Sequence, residues 1–125
     1  MKIKKKLLIA TSSFSELTKE RNRIFNKKGL KVIKNPLKRK LNKKNLLNLA
    51  KDADYIIAGT EDYNKEIIDK LKKLKFLFRL GSGTDNLDID YLKYKKIGFK
   101  KSNITPEISV AEIIIGYIIM TLRKL

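Results

Sequence analysis

Five short runs rich in Ile, Leu, Val or aromatic residues recur along the chain, at Lys6 to Thr11, Leu30 to Lys34, Tyr55 to Ala58, Phe76 to Leu80 and, more weakly, Phe99 to Lys101. Each has the length and composition of a buried strand. The stretches between them carry apolar residues at helical spacing instead. Ser13 and Glu16 stand at capping-box distance and announce a first helix, and a second is predicted over about Asn42 to Lys51. A third starts at Asn64 with Ile67, Ile68, Leu71 and Leu74 on one face, and a fourth follows Asp88. A fifth has Thr105 as N-cap and Pro106 at its first position, and carries Val110, Ile113, Ile114, Tyr117, Ile118 and Leu122.

Strands alternating with amphipathic helices imply an α/β domain whose parallel sheet is covered on both faces. Right-handed crossovers then favour a flavodoxin-like, five-stranded sheet of order 2-1-3-4-5, with ligands bound at the carboxyl ends of the strands. The loops that reach that edge are Thr11 to Ser13, Gly59 to Asp62 and Gly81 to Asn86. Bacterial response-regulator receivers share the strand order, but they hold magnesium with acidic residues where this chain has Thr11, Ser12, Gly59 and Thr60. A phosphoacceptor site is not expected.

Composition removes most catalytic chemistry. The 125 residues suit one domain, and without cysteine or histidine there is no disulfide, no thiolate nucleophile and no imidazole base or metal ligand. No metal site and no catalytic residue are assigned, and a cytosolic location is the expectation. The apolar stretch Leu7 to Ala10 is too short for a signal peptide, and Ile113 to Leu122 falls short of the roughly 20 residues a membrane helix needs. The net charge of +17 invites a nucleic-acid reading. Its distribution weakens that reading: residues 1 to 51 hold 17 Lys and Arg against Glu16 and Glu20, whereas residues 52 to 125 hold 13 against 11 acids. Lysine supplies 25 of the 30 basic residues and the basic half has only Phe14 and Phe25 as aromatics, so a solvated basic face is favoured over a base-reading surface.

The segment FLFRLGSGTDNLDID, Phe76 to Asp90, runs a strand into a two-glycine loop followed by carboxylates and an amide. Gly81-Ser82-Gly83 looks like the start of G-x-G-x-x-G, but position 86 is Asn, the strand is the fourth, and no acidic residue closes a second strand about twenty residues on. A tight turn needing positive φ explains the glycines, and loop and helix capping explain Asp85 and Asp88. Glycine also lets a ligand approach exposed N–H groups, a nest suited to a carboxylate.

Ile57-Ala58-Gly59-Thr60-Glu61, Arg79 through Asp88, and Ser109-Val110-Ala111-Glu112 together resemble the D-isomer-specific 2-hydroxyacid dehydrogenases, nearest to their phosphoglycerate dehydrogenase branch. The likeness extends through Gly29 to Pro36, Lys73 to Lys75, Ile97-Gly98 and Thr105-Pro106, and departs at Glu107, where the family has glycine. The resemblance implies a flavodoxin-like substrate-binding domain over 1–104, an interdomain helix over 105–125, and a separate Rossmann domain carrying the NAD fingerprint and the catalytic Arg, Glu and His, which these residues lack. It further implies that Gly81, Ser82 and Gly83 hold the substrate carboxylate, that Ser82 faces the nicotinamide, that Gly59 and Thr60 line the opposite wall, and that Arg79 is a further contact. Asp85 and Asn86 are read as loop-shaping residues, and Glu112 as an interdomain contact.

The expected function is therefore the substrate-binding portion of an NAD-dependent D-2-hydroxyacid dehydrogenase, acting on a small 2-hydroxy or 2-keto acid such as 3-phosphoglycerate. As a fragment, truncated product or incomplete copy it should be inactive and bind no cofactor tightly. Its last helix, apolar on too many sides for a free surface, is expected to pair two copies. A noncatalytic small-anion binder and a basic nucleic-acid-binding module are the alternatives, and no membrane association is expected.

Overall fold

In a computed structural model, residues 4–12, 19–102, 113–116, 118–120 and 122–123 are described. Five parallel strands, β1 (Lys5–Ile9), β2 (Leu30–Lys34), β3 (Tyr55–Ala58), β4 (Phe76–Arg79) and β5 (Gly98–Lys101), form one sheet in the order β2-β1-β3-β4-β5. This is the predicted architecture and order. β1 ends at Ile9, so Thr11 lies in the loop beyond it.

The helices are α1 (Lys19–Lys27), α2 (Lys43–Ala50), α3 (Lys65–Lys70) and α4 (Ile89–Tyr94). Side-chain caps set three of their starts: Asn42 Oδ1 accepts from Asn45 N (2.8 Å), Asn64 Oδ1 from Ile67 N (3.0 Å) and Asp88 Oδ1 from Tyr91 N (3.0 Å). The apolar period that opens α3 outlasts it. Ile67 and Ile68 lie in the helix, whereas Leu71 is its C-cap and Leu74 is buried in the turn beyond. The Ser13 and Glu16 capping box and the Thr105 and Pro106 helix start lie outside the described residues.

Side chains alternate across each strand, and one face carries most of the core. Leu8, Ala10, Ile56, Ala58 and Leu77 pack with Leu46, Ala50, Ile67, Ile68 and Leu92 of α2, α3 and α4, all of them buried. Because α2, α3 and α4 lead from β2 across to β5 while α1 leads back from β1 to β2, right-handed crossovers set α1 on the opposite face. There Leu7 and Ile9 are buried, and Tyr55, Ile57, Phe76 and Phe78 are half-buried. The strands at the two edges of the sheet each present exposed lysines, Lys31 and Lys34 on β2 and Lys100 and Lys101 on β5.

Past the carboxyl ends of β3 and β4 the two loops pair with each other. Tyr63 N donates to Asn86 O (2.8 Å) and Asp88 N to Tyr63 O (3.1 Å), a short parallel bridge outside the sheet. The Asn86 side-chain amide donates to the carbonyls of Gly59 (3.0 Å) and Glu61 (2.6 Å). A single side chain thus gives two loop carbonyls the partners that a sheet would otherwise supply.

Leu8→Ala and Leu77→Ala are each expected to lower the unfolding free energy by about 2–5 kcal/mol in urea titrations, since both side chains are fully buried. Asn86→Ala leaves two partly buried carbonyls unpaired and is expected to cost about 1–3 kcal/mol in the same titration.

Candidate functional site

The carboxyl ends of β1, β3 and β4 lie side by side because β1 and β4 both pair with β3, and the backbone carries that alignment into the loops. Ala10 N donates to Ile57 O and Leu80 N to Ala58 O, both at 3.0 Å. Between these ends is a pocket of about 210 Å³ lined by Thr11, Ser12, Gly59, Thr60, Glu61 and Arg79, with Leu80 at its edge. Gly59 sits where little space is left for a side chain. A Cβ on it would stand 3.0 Å from Glu61 Oε1 and 3.0 Å from both Cα and Cβ of Thr11. The Gly59 N–H is already committed, donating to Glu61 Oε2 at 2.9 Å, so this residue forms a wall and not a donor.

Glu61 is the residue whose role the sequence did not reveal. It is 1% exposed, and its Oε2 accepts from Tyr63 Oη (3.2 Å) as well as from Gly59 N. Tyr63 is fully buried, and burial first, then the neighbouring Glu61 carboxylate, pushes its hydroxyl well above the usual tyrosine range. The phenol therefore remains a donor to Glu61. A Gly-Thr-Glu-Asp-Tyr run looks like an ordinary polar loop, and only the return of the chain under the sheet edge buries its third and fifth residues.

Arg79 closes the other side. It is 9% exposed, its Nε donates to Gly83 O at 3.0 Å and one terminal nitrogen donates to Leu80 O. The guanidinium thus lines the pocket while gripping the glycine loop at both ends. Gly81 lies between these anchors at φ +133°, a conformation for which glycine is suited, and a Cβ there would stand 2.8 Å from Arg79 Nη1. Ser82 and Gly83 form the exposed tip of the loop, outside the pocket. Among the described residues the N–H groups of Gly81, Ser82 and Gly83 donate to no protein group, which leaves them available to an anion.

A larger, open groove of about 730 Å³ adjoins on the α4 side, with Asp62, Asp85, Asp88 and Asp90 among its lining residues. Asp88 is occupied as the α4 cap, as the capping reading expected, while Asp62, Asp85 and Asp90 are exposed. Among the described residues no group of three or more acidic side chains is arranged to hold a metal. The loop also does not fit a dinucleotide pyrophosphate. Asn86, at the position of the third fingerprint glycine, directs its side chain into the β3 loop, and the N-terminus of α4 is closed by Asp88. Glu112 lies outside the described residues. The last helical stretch is apolar and half-exposed all round: Ile113, Ile114, Ile115, Ile118, Ile119 and Met120 are 48–58% exposed.

Residues 9–114 match the D-isomer specific 2-hydroxyacid dehydrogenase catalytic domain. The D-3-phosphoglycerate dehydrogenase of Methanocaldococcus jannaschii is 34% identical over 87 residues, which is 68% of this chain and 16% of that protein. A putative 2-hydroxyacid dehydrogenase of Staphylococcus saprophyticus is 29% identical over 86 residues, 27% of its length. The crystal structure of NAD+-bound 3-phosphoglycerate dehydrogenase from Entamoeba histolytica superposes with a TM-score of 0.72 at 30% identity, covering 97% of this chain and 40% of that one. The chain thus spans well under half the length of each of these relatives. By the match over residues 9–114 and by its fold, the chain belongs to the D-isomer specific 2-hydroxyacid dehydrogenase family, with its likeness running to the phosphoglycerate dehydrogenases.

Proposed function

We propose that this chain is the substrate-binding portion of an NAD-dependent D-2-hydroxyacid dehydrogenase. The observation that carries the reading is the glycine loop, whose unengaged N–H groups stand at the carboxyl edge of the sheet beside the pocket of Thr11, Gly59, Thr60 and Arg79. In this reading the amides of Ser82 and Gly83 receive the carboxylate of a small 2-hydroxy or 2-keto acid. Gly59 and Thr60 form the facing wall. Arg79 contributes by holding the loop open in shape and adds positive charge behind it.

NAD, when bound in the complete enzyme, supplies the hydride acceptor. Ser82 is the residue of this chain proposed to face the nicotinamide, and the grip on the dinucleotide belongs to a Rossmann domain outside these residues. The reading divides the chain into the substrate-binding domain over 1–104 and an interdomain helix over 105–125. Two copies pair through that helix, because its apolar surface is too continuous for a lone surface helix. A cytosolic setting belongs to the same reading. Nucleic-acid binding finds less support, since the loops at the sheet edge are acidic and the aromatic side chains of the basic half number two.

Titrating the purified 125-residue chain with D-lactate is expected to shift the amide resonances of Ser82 and Gly83 before any others, and no shift at the loop would defeat the carboxylate cradle. Gly81→Ala, which strains the backbone by about 1–3 kcal/mol, is expected to weaken that binding several-fold. The chain alone should show no NAD-dependent oxidation of D-lactate or 3-phosphoglycerate; measurable turnover overturns the assignment of the chemistry to residues elsewhere. Sedimentation is expected to show self-association that rises with concentration and is lost in Ile114→Asp with Ile118→Asp, and a wild-type monomer at high concentration defeats the pairing.

A further inference from the structure

The two loops that form the facing walls of the proposed site are joined by one side chain. Past the glycine loop the chain turns at Thr84, whose carbonyl accepts from Leu87 N at 3.0 Å, and Leu87 is buried in the core. Asn86 is thereby anchored three residues beyond Gly83. Its amide nitrogen reaches back 27 residues to Gly59 O (3.0 Å) and 25 residues to Glu61 O (2.6 Å), the carbonyls on either side of Thr60. That turn is also tied from within, because Gly59 N donates to Glu61 Oε2. On the other side Arg79 holds Leu80 O and Gly83 O. Each wall is thus shaped by its own side chains. Among the described residues from Leu80 to Asp88, Asn86 alone carries a side-chain hydrogen bond from one wall to the other.

We propose that Asn86 is a positioning residue for the substrate: it sets the separation of the Gly59–Thr60 wall from the Ser82 and Gly83 amides, so that a 2-hydroxy or 2-keto acid meets both without either loop having to be ordered first. The inference rests on the carboxylate-cradle reading above. The backbone links through Tyr63 lie three residues beyond Thr60, and they do not by themselves fix it. Without the Asn86 amide the wall has to be ordered when the acid binds, and that ordering is taken from the affinity. This effect is separate from the loss of stability that any cavity in the core produces.

D-Lactate is titrated into the full 125-residue chain and its variants, under conditions where each is folded, while the Thr60, Ser82 and Gly83 amide resonances are followed. Asn86→Ala is expected to bind about tenfold more weakly, with Thr60 no longer responding when Ser82 and Gly83 do. Leu71→Ala is the control. Leu71 is buried in the turn that leads to the amino end of β4, at the far end of the sheet, and its truncation removes more stability than loss of the Asn86 amide. It is expected to bind D-lactate within about twofold of the wild type, with the Thr60 response intact. Should Asn86→Ala unfold, Asn86→Ser, which keeps one donor, is expected to bind several-fold more weakly. A wild type in which Thr60 is silent, or an Asn86 variant that binds no more weakly than Leu71→Ala, overturns the positioning role and leaves the cradle standing. Wild-type Ser82 and Gly83 amides that do not respond overturn the cradle, and the positioning role with it.

Discussion

The pairing of the β3 loop with the β4 loop is what the rest of the site depends on. A parallel sheet satisfies its own backbone only as far as the strands run, and beyond Ala58 and Arg79 the chain has to find other partners or water. Asn86 meets this by donating from one amide to two carbonyls of the neighbouring loop, and the Tyr63 bridge extends the parallel arrangement for one more step. Glu61 then fills the space beneath and engages Gly59 N. Arg79 holds the glycine loop from the end of its own strand, through Gly83 O and Leu80 O. The result is a rigid edge with a few backbone N–H groups left over, which is the raw material of a binding site built on main chain instead of reactive side chains.

The charge of the chain is unevenly distributed along its sequence. Most of the lysines lie in residues 1–51, whereas Glu61, Asp62, Asp85 and Asp88 lie in the loops past β3 and β4.

Much of the architecture was legible because it rests on local rules. Strand positions followed from apolar runs, sheet order from crossover handedness, and helix starts from Asn64 and Asp88, whose caps are satisfied within three residues. The apolar period of α3 misled at its end, since Leu74 is buried by a turn and the helix stops at Lys70. The partners of the enclosed polar residues were not legible, although Asn86 was read as a loop-shaping residue. Asn35 joins Ala10 O and Arg39 O through its side chain, Glu61 joins Gly59 N and Tyr63, and Asn86 spans 27 residues to reach Gly59 O. The Asn35 and Asn86 contacts link positions 25 and 27 residues apart, and a polar residue in a loop, like Glu61, carries no mark that the fold will enclose it. Arg79 shows the same limit. A strand-terminal arginine beside a glycine loop suggests a ligand contact, whereas its hydrogen bonds show that it also holds that loop in shape.

The lysines on the two edge strands bear on the fate of the protein outside its folded monomer. An open sheet ends in unpaired N–H and C=O groups on β2 and on β5, each a template on which another copy's strand could grow. Lys31 and Lys34 on one side and Lys100 and Lys101 on the other put like charges wherever two such edges would meet. Part of the lysine content thus works against fibril growth.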